Sequence, residues 1–314
     1  MKEGYLVDGK YRILGLAGKG GVACVYKAEH IYLGRHVAIK ILKPQIAKLY
    51  PKLKEKFLEE PRRTPDDPGV VKIFDAGIDS QTGVPYLVME FYPKSLRDLM
   101  EEGAAKEAQL KILLGAAETL VRLHSMGLVH LDVKPENIMI DRAGKPRLGD
   151  FGFAKLKAET LSKSNIWGTP IYTAPEVWYG EYSEKSDVYS LGVILAEILT
   201  DKPYSRNIED KKLRELVEKA ISHDPGARPT AAQFAQTLRK KLHPPKPSKS
   251  ATLIVEASQQ VTVYVDGFWI GKDTKVKTKL KPGIHTLKID TGTQTITRTI
   301  SLWPGQSLKI QVII

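Results

Sequence analysis

Within eight residues, His130-Leu-Asp132-Val-Lys134-Pro-Glu-Asn137 gathers a carboxylate, an ammonium and an amide directly after an apolar helical stretch. Phosphoryl transfer asks for these three groups. A carboxylate orients an attacking hydroxyl and takes its proton, a cation offsets charge spreading over the phosphate oxygens, and a hard oxygen donor holds magnesium. Asp132, Lys134 and Asn137 suit those roles in that order. Thirteen residues on, Asp150-Phe151-Gly152 follows the strand-like Pro146-Arg-Leu148, so Asp150 emerges at a strand end as a second magnesium ligand. An Asp close to a Gly is by itself an ordinary turn; its place after the first motif is what gives it weight.

A phosphate-binding element is expected upstream. Gly18-Lys19-Gly20-Gly21-Val-Ala23-Cys-Val25-Tyr-Lys-Ala28 lies between two short strand patterns, where glycines let backbone amides approach triphosphate oxygens. A bare glycine cluster is more often a turn. Further on, the strand Val37-Ala38-Ile39-Lys40 ends in a lysine among apolar neighbours, and an ammonium in a half-buried strand needs an anionic partner such as the α and β phosphates. The plain alternative is a surface lysine on an edge strand.

The elements that must position these groups fall in two blocks. Short strands around glycines run from Tyr11 to Ala38, and helical apolar spacing such as Leu191, Ile194, Leu195 and Ile198 fills the region from Leu110 to Leu242. A polar segment with Thr160, Ser162 and Ser164 follows Asp150, and Gly168-Thr169-Pro170 and Ala174-Pro175-Glu176 bracket its far end.

In motif content and order, residues 11 to about 243 resemble the eukaryotic-like (Hanks-type) Ser/Thr protein kinases of bacteria. The resemblance implies an α+β two-lobed protein kinase fold, with an N-lobe at about 11–92 and a C-lobe at about 93–243. It implies transfer of the ATP γ-phosphate, with Mg2+ (or Mn2+), to Ser or Thr hydroxyls of a protein substrate. Lys134 and Thr169 point to Ser/Thr rather than Tyr. Val25, Ala38 and Met139 are expected to sandwich adenine, with Met89 as gatekeeper and Glu90 to Tyr92 as the hinge. Asp187 resembles the buried Asp that braces the catalytic loop, and Arg228 the partner of Glu176.

Four departures bear on the mechanism. Ala23 replaces the third loop glycine. Leu131 stands where most relatives carry an arginine that pairs with an activation-segment phosphate, and leucine cannot make that pair, so activity independent of activation-loop phosphorylation is expected. Leu53, Phe57 and Glu60 share one helical face, which makes Glu60 the candidate partner of Lys40 and Glu59 the alternative; Pro61 and Pro65 predict that the helix stops about there. From Thr200 to Arg228 the chain is shorter than in relatives, and only Leu213 to Ile221 reads as a helix. These irregularities keep open a second function, a pseudokinase scaffold that binds nucleotide or a partner without catalysis.

The chain's 314 residues, 42% hydrophobic and 27% charged, suit a two-lobed enzyme plus one small module. No signal peptide or span of ~20 apolar residues is present, and the single Cys24 excludes an internal disulfide; both fit a cytoplasmic protein. The net charge of +12 arrives without a nucleic-acid motif, so nucleic acid is not the expected partner. Pro244, Pro245 and Pro247 mark a linker over 244–250. Beyond it, alternating Val261, Val263 and Val265, the Asp266-Gly267 hairpin signal and three further turn signals predict a small all-β sandwich over 251–314. It resembles the PEGA domain through that hairpin, Ile270-Gly271 and Leu280-Lys-Pro-Gly283-Ile-His-Thr-Leu287, which implies an interaction role. In Lys275-Val-Lys277-Thr-Lys279-Leu-Lys281 the lysines share one strand face. They read as protection against edge pairing or as a site for an acidic protein or polyanion.

Overall fold

A computed structural model describes residues 1–150, 171–243 and 250–313. Phe151, Gly152, Lys155, Thr160, Ser162, Ser164, Gly168 to Pro170 and the linker prolines lie outside the described residues. The chain divides into two units, Met1–Pro244 and Pro245–Ile314.

The first unit opens with strands β1 (Leu6–Val7), β2 (Tyr11–Lys19), β3 (Ala23–His30), β4 (Arg35–Leu42), β5 (Ile73–Ile78) and β6 (Pro85–Glu90), hydrogen-bonded in the order β1-β2-β3-β4-β6-β5. β4 is central and buried on both faces from Val37 to Leu42, which is why it reads as a nearly continuous apolar run. The lobe begins before Tyr11: β1 pairs with β2, Tyr5 Oη donates to Asp79 at 2.6 Å and Tyr86 Oη to Asp8 at 3.1 Å. Two residues are too few to show an alternation, so sequence periodicity passes over β1.

Helices α1 (Pro44–Leu49) and α2 (Pro51–Arg63) follow β4. α2 runs past Glu60 with Pro61 inside it and ends at Arg63, with Thr64 as its C-cap directly before Pro65. Proline there removes a single N–H, and the turn closes on Glu60, whose carbonyl accepts both the N–H and the hydroxyl of Thr64.

The helical lobe is built from α3 (Leu96–Glu101), α4 (Lys106–Ser125), α5 (Glu184–Thr200), α6 (Lys211–Ala220) and α7 (Ala231–Leu242). Strands β7 (Lys94–Ser95), β8 (Ile138–Ile140) and β9 (Pro146–Leu148) form a small sheet beside them. α5 is buried over most of its length, its N-terminus closed by a Ser183–Ser186 capping box. At Gly192 a Cβ would lie 2.6 Å from that of Ala220, so glycine is what lets α6 approach α5. Between Thr200 and Arg228, α6 and a 3₁₀ turn at Pro225–Ala227 are the helical elements.

The second unit holds β10 (Ala251–Val265), β11 (Phe268–Leu280), β12 (Gly283–Asp290), β13 (Thr295–Leu302) and β14 (Ser307–Val312). β10 pairs with β11 along its length, with β14 in parallel at its start and with β12 near its end, and a register break between Glu256 and Val261 separates the two halves. The β10–β11 turn has φ of 51° at Asp266 and 84° at Gly267, the positive values that an Asp-Gly hairpin supplies. Leu253, Val255, Val263, Leu287 and Ile289 anchor a separate core.

Candidate active site

Register places the roof of the cleft. Val25 lies opposite Lys40 on β3 and β4, and Ala38 lies opposite Met89 on β4 and β6. Lys40, 3% exposed, points its ammonium at two carboxylates: Glu60 at 3.2 and 3.4 Å and Asp150 at 2.9 Å. Burial disfavours the ammonium, but Asp150 and then Glu60 outweigh it and raise the Lys40 pKa. Burial also raises Asp150, yet the ammonium overcomes this and holds its carboxyl below the usual range. Glu60 goes the other way, because burial outweighs Lys40 and its pKa is raised. Glu59 turns outward to Arg63 at 2.6 Å.

The catalytic-loop residues converge on Asp187, a fully buried carboxylate on α5. It accepts the backbone N–H groups of His130 at 2.9 Å and Leu131 at 2.7 Å, and lies 2.8 Å from His124 Nε2. Leu131 has φ 63° and its side chain is buried, so this grip holds a left-handed residue that is not glycine. The His130 ring bridges onward: Nδ1 accepts the Asp132 N–H at 3.2 Å and Nε2 donates to the Gly149 carbonyl at 3.0 Å. Burial depresses the His130 pKa, which keeps the ring neutral for that bridge.

Asn137 Nδ2 donates to the Asp132 carbonyl at 2.8 Å and to its carboxylate at 3.0 Å, and Lys134 Nζ lies 3.4 Å from the same carboxylate. With Nδ2 committed, the Asn137 amide oxygen is the atom left for a cation. Asp150, φ 61°, supplies an ionised oxygen. Two oxygen donors fit a hard cation that takes its remaining ligands from phosphate and water; among the described residues no cluster of three or more His, Cys, Asp or Glu offers an all-protein cage.

One cleft of about 910 Å³ collects these groups. Gly18 to Gly21, Val25, Ala38, Lys40, Met89, Glu90, Tyr92, Met139, Asp132, Lys134, Asn137 and Asp150 all line it. Glu60 stands behind Lys40, as the partner expected of that lysine, and meets the cleft through its ammonium. Gly20 has a local reason, since a Cβ there would come 3.2 Å from the Ala23 carbonyl that accepts the Gly20 N–H. Ala23 itself is 5% exposed and packs with Val22 and Leu42. Beyond the site, Glu176 accepts a two-pronged bond from Arg228 at 2.7 and 2.8 Å. Burial pushes the Glu176 carboxyl up, and the guanidinium overcomes it and holds the pKa low. Arg97, Ile171, Tyr172 and Thr173 also line the cleft, and sequence reasoning missed them.

A strand-rich lobe over a helical lobe, with a lysine, two acids and an amide around one nucleotide-sized cleft, defines a phosphotransferase class of fold. The chain belongs to the protein kinase family: the family's protein kinase domain matches residues 11–252. The curated relatives it matches are named as serine/threonine-protein kinases. A probable serine/threonine-protein kinase of Clostridium perfringens is 32% identical over 269 residues, 76% of this chain and 39% of that one. A probable serine/threonine-protein kinase of Streptomyces coelicolor is 34% identical over 215 residues, covering 65% and 32%. The serine/threonine-protein kinase PrkC of Bacillus subtilis is 35% identical over 215 residues, covering 64% and 32%. The chain thus spans about a third to two fifths of the length of these relatives.

Proposed function

We propose that this protein transfers the γ-phosphate of ATP to Ser or Thr hydroxyls of a protein substrate. The observation that carries the reading is the Lys40–Glu60 and Lys40–Asp150 pairing across the cleft from the Asp132–Lys134–Asn137 cluster. Lys40 holds α and β phosphate oxygens, and the Gly18–Gly21 amides hold the β and γ phosphates. Val25, Ala38 and Met139 enclose adenine, with Met89 and the Glu90–Tyr92 hinge at its edge. Asp132 orients the substrate hydroxyl. As the oxygen–phosphorus bond forms and the bond to ADP breaks, Asp132 receives the hydroxyl proton while Lys134 offsets charge on the γ-phosphoryl oxygens. Asn137 and Asp150 would hold Mg2+, or Mn2+, which supplies charge neutralisation along the phosphates. The cytoplasm, where ATP is abundant, is the compartment for this reaction.

Leu131 supports activity that does not wait for activation-loop phosphorylation, because a buried leucine beside Asp132 offers no cation for an activation-segment phosphate to pair with. The second unit is read as a PEGA-like interaction module. Lys275, Lys277 and Lys279 stay exposed on β11 while Val276 is buried, which supports an acidic protein as its partner.

Labelled ATP and Mg2+ incubated with a generic acceptor protein test the enzyme reading. Incorporation on Ser or Thr is expected from the full chain and not from Asp132→Ala or Asp150→Ala. Equal labelling by all three proteins, or none by the full chain, sinks the proposal and leaves the scaffold reading.

A further inference from the structure

Arg97, near the start of α3, makes three side-chain bonds to partners far away in sequence. Its Nε donates to Glu136 at 2.9 Å, Nη1 to Glu197 at 3.0 Å and Nη2 to the Tyr172 hydroxyl at 2.5 Å. The Tyr172 hydroxyl in turn donates to Glu197 at 2.5 Å. Four parts of the lobe meet at one guanidinium: α3, the Pro135–Asn137 turn of the catalytic loop, the stretch 171–174 and α5. The Glu197 side of the cluster is sheltered, with the Arg97 side chain 22% and Glu197 13% exposed, while Glu136 is 46% exposed. Burial works against the Arg97 charge, but the Glu197 and Glu136 bonds outweigh it, so the cation is permanent.

Its place gives the cluster consequence. Ile171, Tyr172 and Thr173 line the same cleft as Asp132 and Lys134. Their backbone is already tied to neighbours, since the Tyr172 carbonyl accepts from Ser190 Oγ at 2.7 Å and the Ile171 carbonyl accepts from Tyr204 Oη. Among the described residues, a Tyr172–Arg97–Glu136 chain of bonds connects this stretch to the catalytic loop. Glu136 and Glu197 are carboxylates of the chain, so the connection needs no added phosphate. A point charge such as lysine has no planar fork with which to meet three acceptors in three directions.

We propose that Arg97 is a positioning residue that holds residues 171–174 in register with the catalytic loop, making that alignment a fixed property of the fold. The structural claim stands by itself; its effect on catalysis rests on the kinase reading above.

Backbone amide exchange and steady-state kinetics on the full chain separate the two. In Arg97→Ala and Tyr172→Phe, exchange over residues 171–180 is expected to rise about tenfold while α4 and β4 keep their protection. The acceptor-peptide KM should rise about fivefold or more with the ATP KM within about twofold, and Arg97→Lys should recover less than about half of the loss. Unchanged exchange at 171–180 overturns the proposal, and so does a rise spread evenly over the whole unit in Tyr172→Phe. A full restoration by Arg97→Lys also overturns it, because a single point charge would then suffice. Local loosening in proteins that transfer no phosphate, wild type included, upholds the tether and counts against the kinase reading alone.

Discussion

Leu131 occupies a backbone region that costs a non-glycine residue about 1–3 kcal/mol, and it is held there by the Asp187 carboxylate. An amide in place of that carboxylate has one acceptor oxygen and turns a donor toward the remaining N–H groups. Asp187→Asn should therefore lose about 2–4 kcal/mol of stability to unpaired buried polar groups, read as a lower urea midpoint, with activity falling alongside it. An unchanged midpoint would show that the grip contributes little. Glu60 predicts an opposite pattern. Burial raises its pKa despite Lys40, so the folded protein binds this proton more tightly than the unfolded chain does. Ionised Glu60 thus costs stability, and Glu60→Gln should be as stable as wild type at pH 7 or more so, while phosphoryl transfer drops about tenfold or more because an amide orients Lys40 less firmly. Relative to that variant, wild type should lose stability as pH rises from about 4.3 toward the folded pKa and stay level above it. A wild type that gains over this interval would reverse the sign and refute the assignment.

Among the elements, α2 shows where local rules yield to packing. Pro61 correctly flags a missing hydrogen bond, yet Leu53, Phe57 and Glu60 bury one helical face and carry the helix to Arg63. Pro61→Ala adds back the backbone N–H that proline lacks and should stabilise the kinase unit by about 1 kcal/mol with Lys40–Glu60 intact; a lower melting temperature would mean the proline ring packs where no alanine can. The catalytic loop carries its own prediction. Replacing Thr160, Ser162 and Ser164 together by Ala should leave the rate within a few fold, less than about 1 kcal/mol in the barrier, since Leu131 offers no cation to a phosphate. A hundredfold loss would reveal another reader, with Lys155 the first to test. Legibility follows the same division. Asp132, Asn137 and Asp150 are readable because their chemistry is confined to short runs, and the inward side of Glu60 because Leu53 and Phe57 set the helical phase. Arg97 was silent because its partners lie 39, 75 and 100 residues away, and no local pattern marks a contact that only the folded lobe creates. β1 was silent because it is two residues long.

At the scale of the whole molecule, the decisive feature is two cores, one on each side of the proline-rich seam. The kinase unit closes its helical core with Phe234 and Leu238 of α7, the last element before His243. The second unit buries Val255, Val263, Leu287 and Ile289 among its own five strands. Each therefore has its own sheet and its own apolar core, which is the condition for folding alone. The second unit is small enough that its surface-to-volume ratio leaves it only marginally stable. Its surface carries the lysines of β11, of which Lys275 is drawn to Glu256 at 2.8 Å, with Lys309 on the same carboxylate at 2.6 Å. Glu256 and the exposed Asp273 are outnumbered there by Lys275, Lys277, Lys279 and Lys309, which leaves the stripe basic, as a site for an acidic partner must be. A chain ending at His243 should accordingly fold, show a single cooperative melt, and phosphorylate a generic acceptor at a rate close to that of the full chain. What it should lose is preference for the physiological target, and Lys277→Glu with Lys279→Glu in the full chain should reproduce that loss without touching generic activity, with the remaining attraction weakening as salt rises. If removal of residues 244–314 instead unfolds the kinase unit or abolishes generic transfer, the second unit is a structural part of the enzyme, and its reading as a docking module fails.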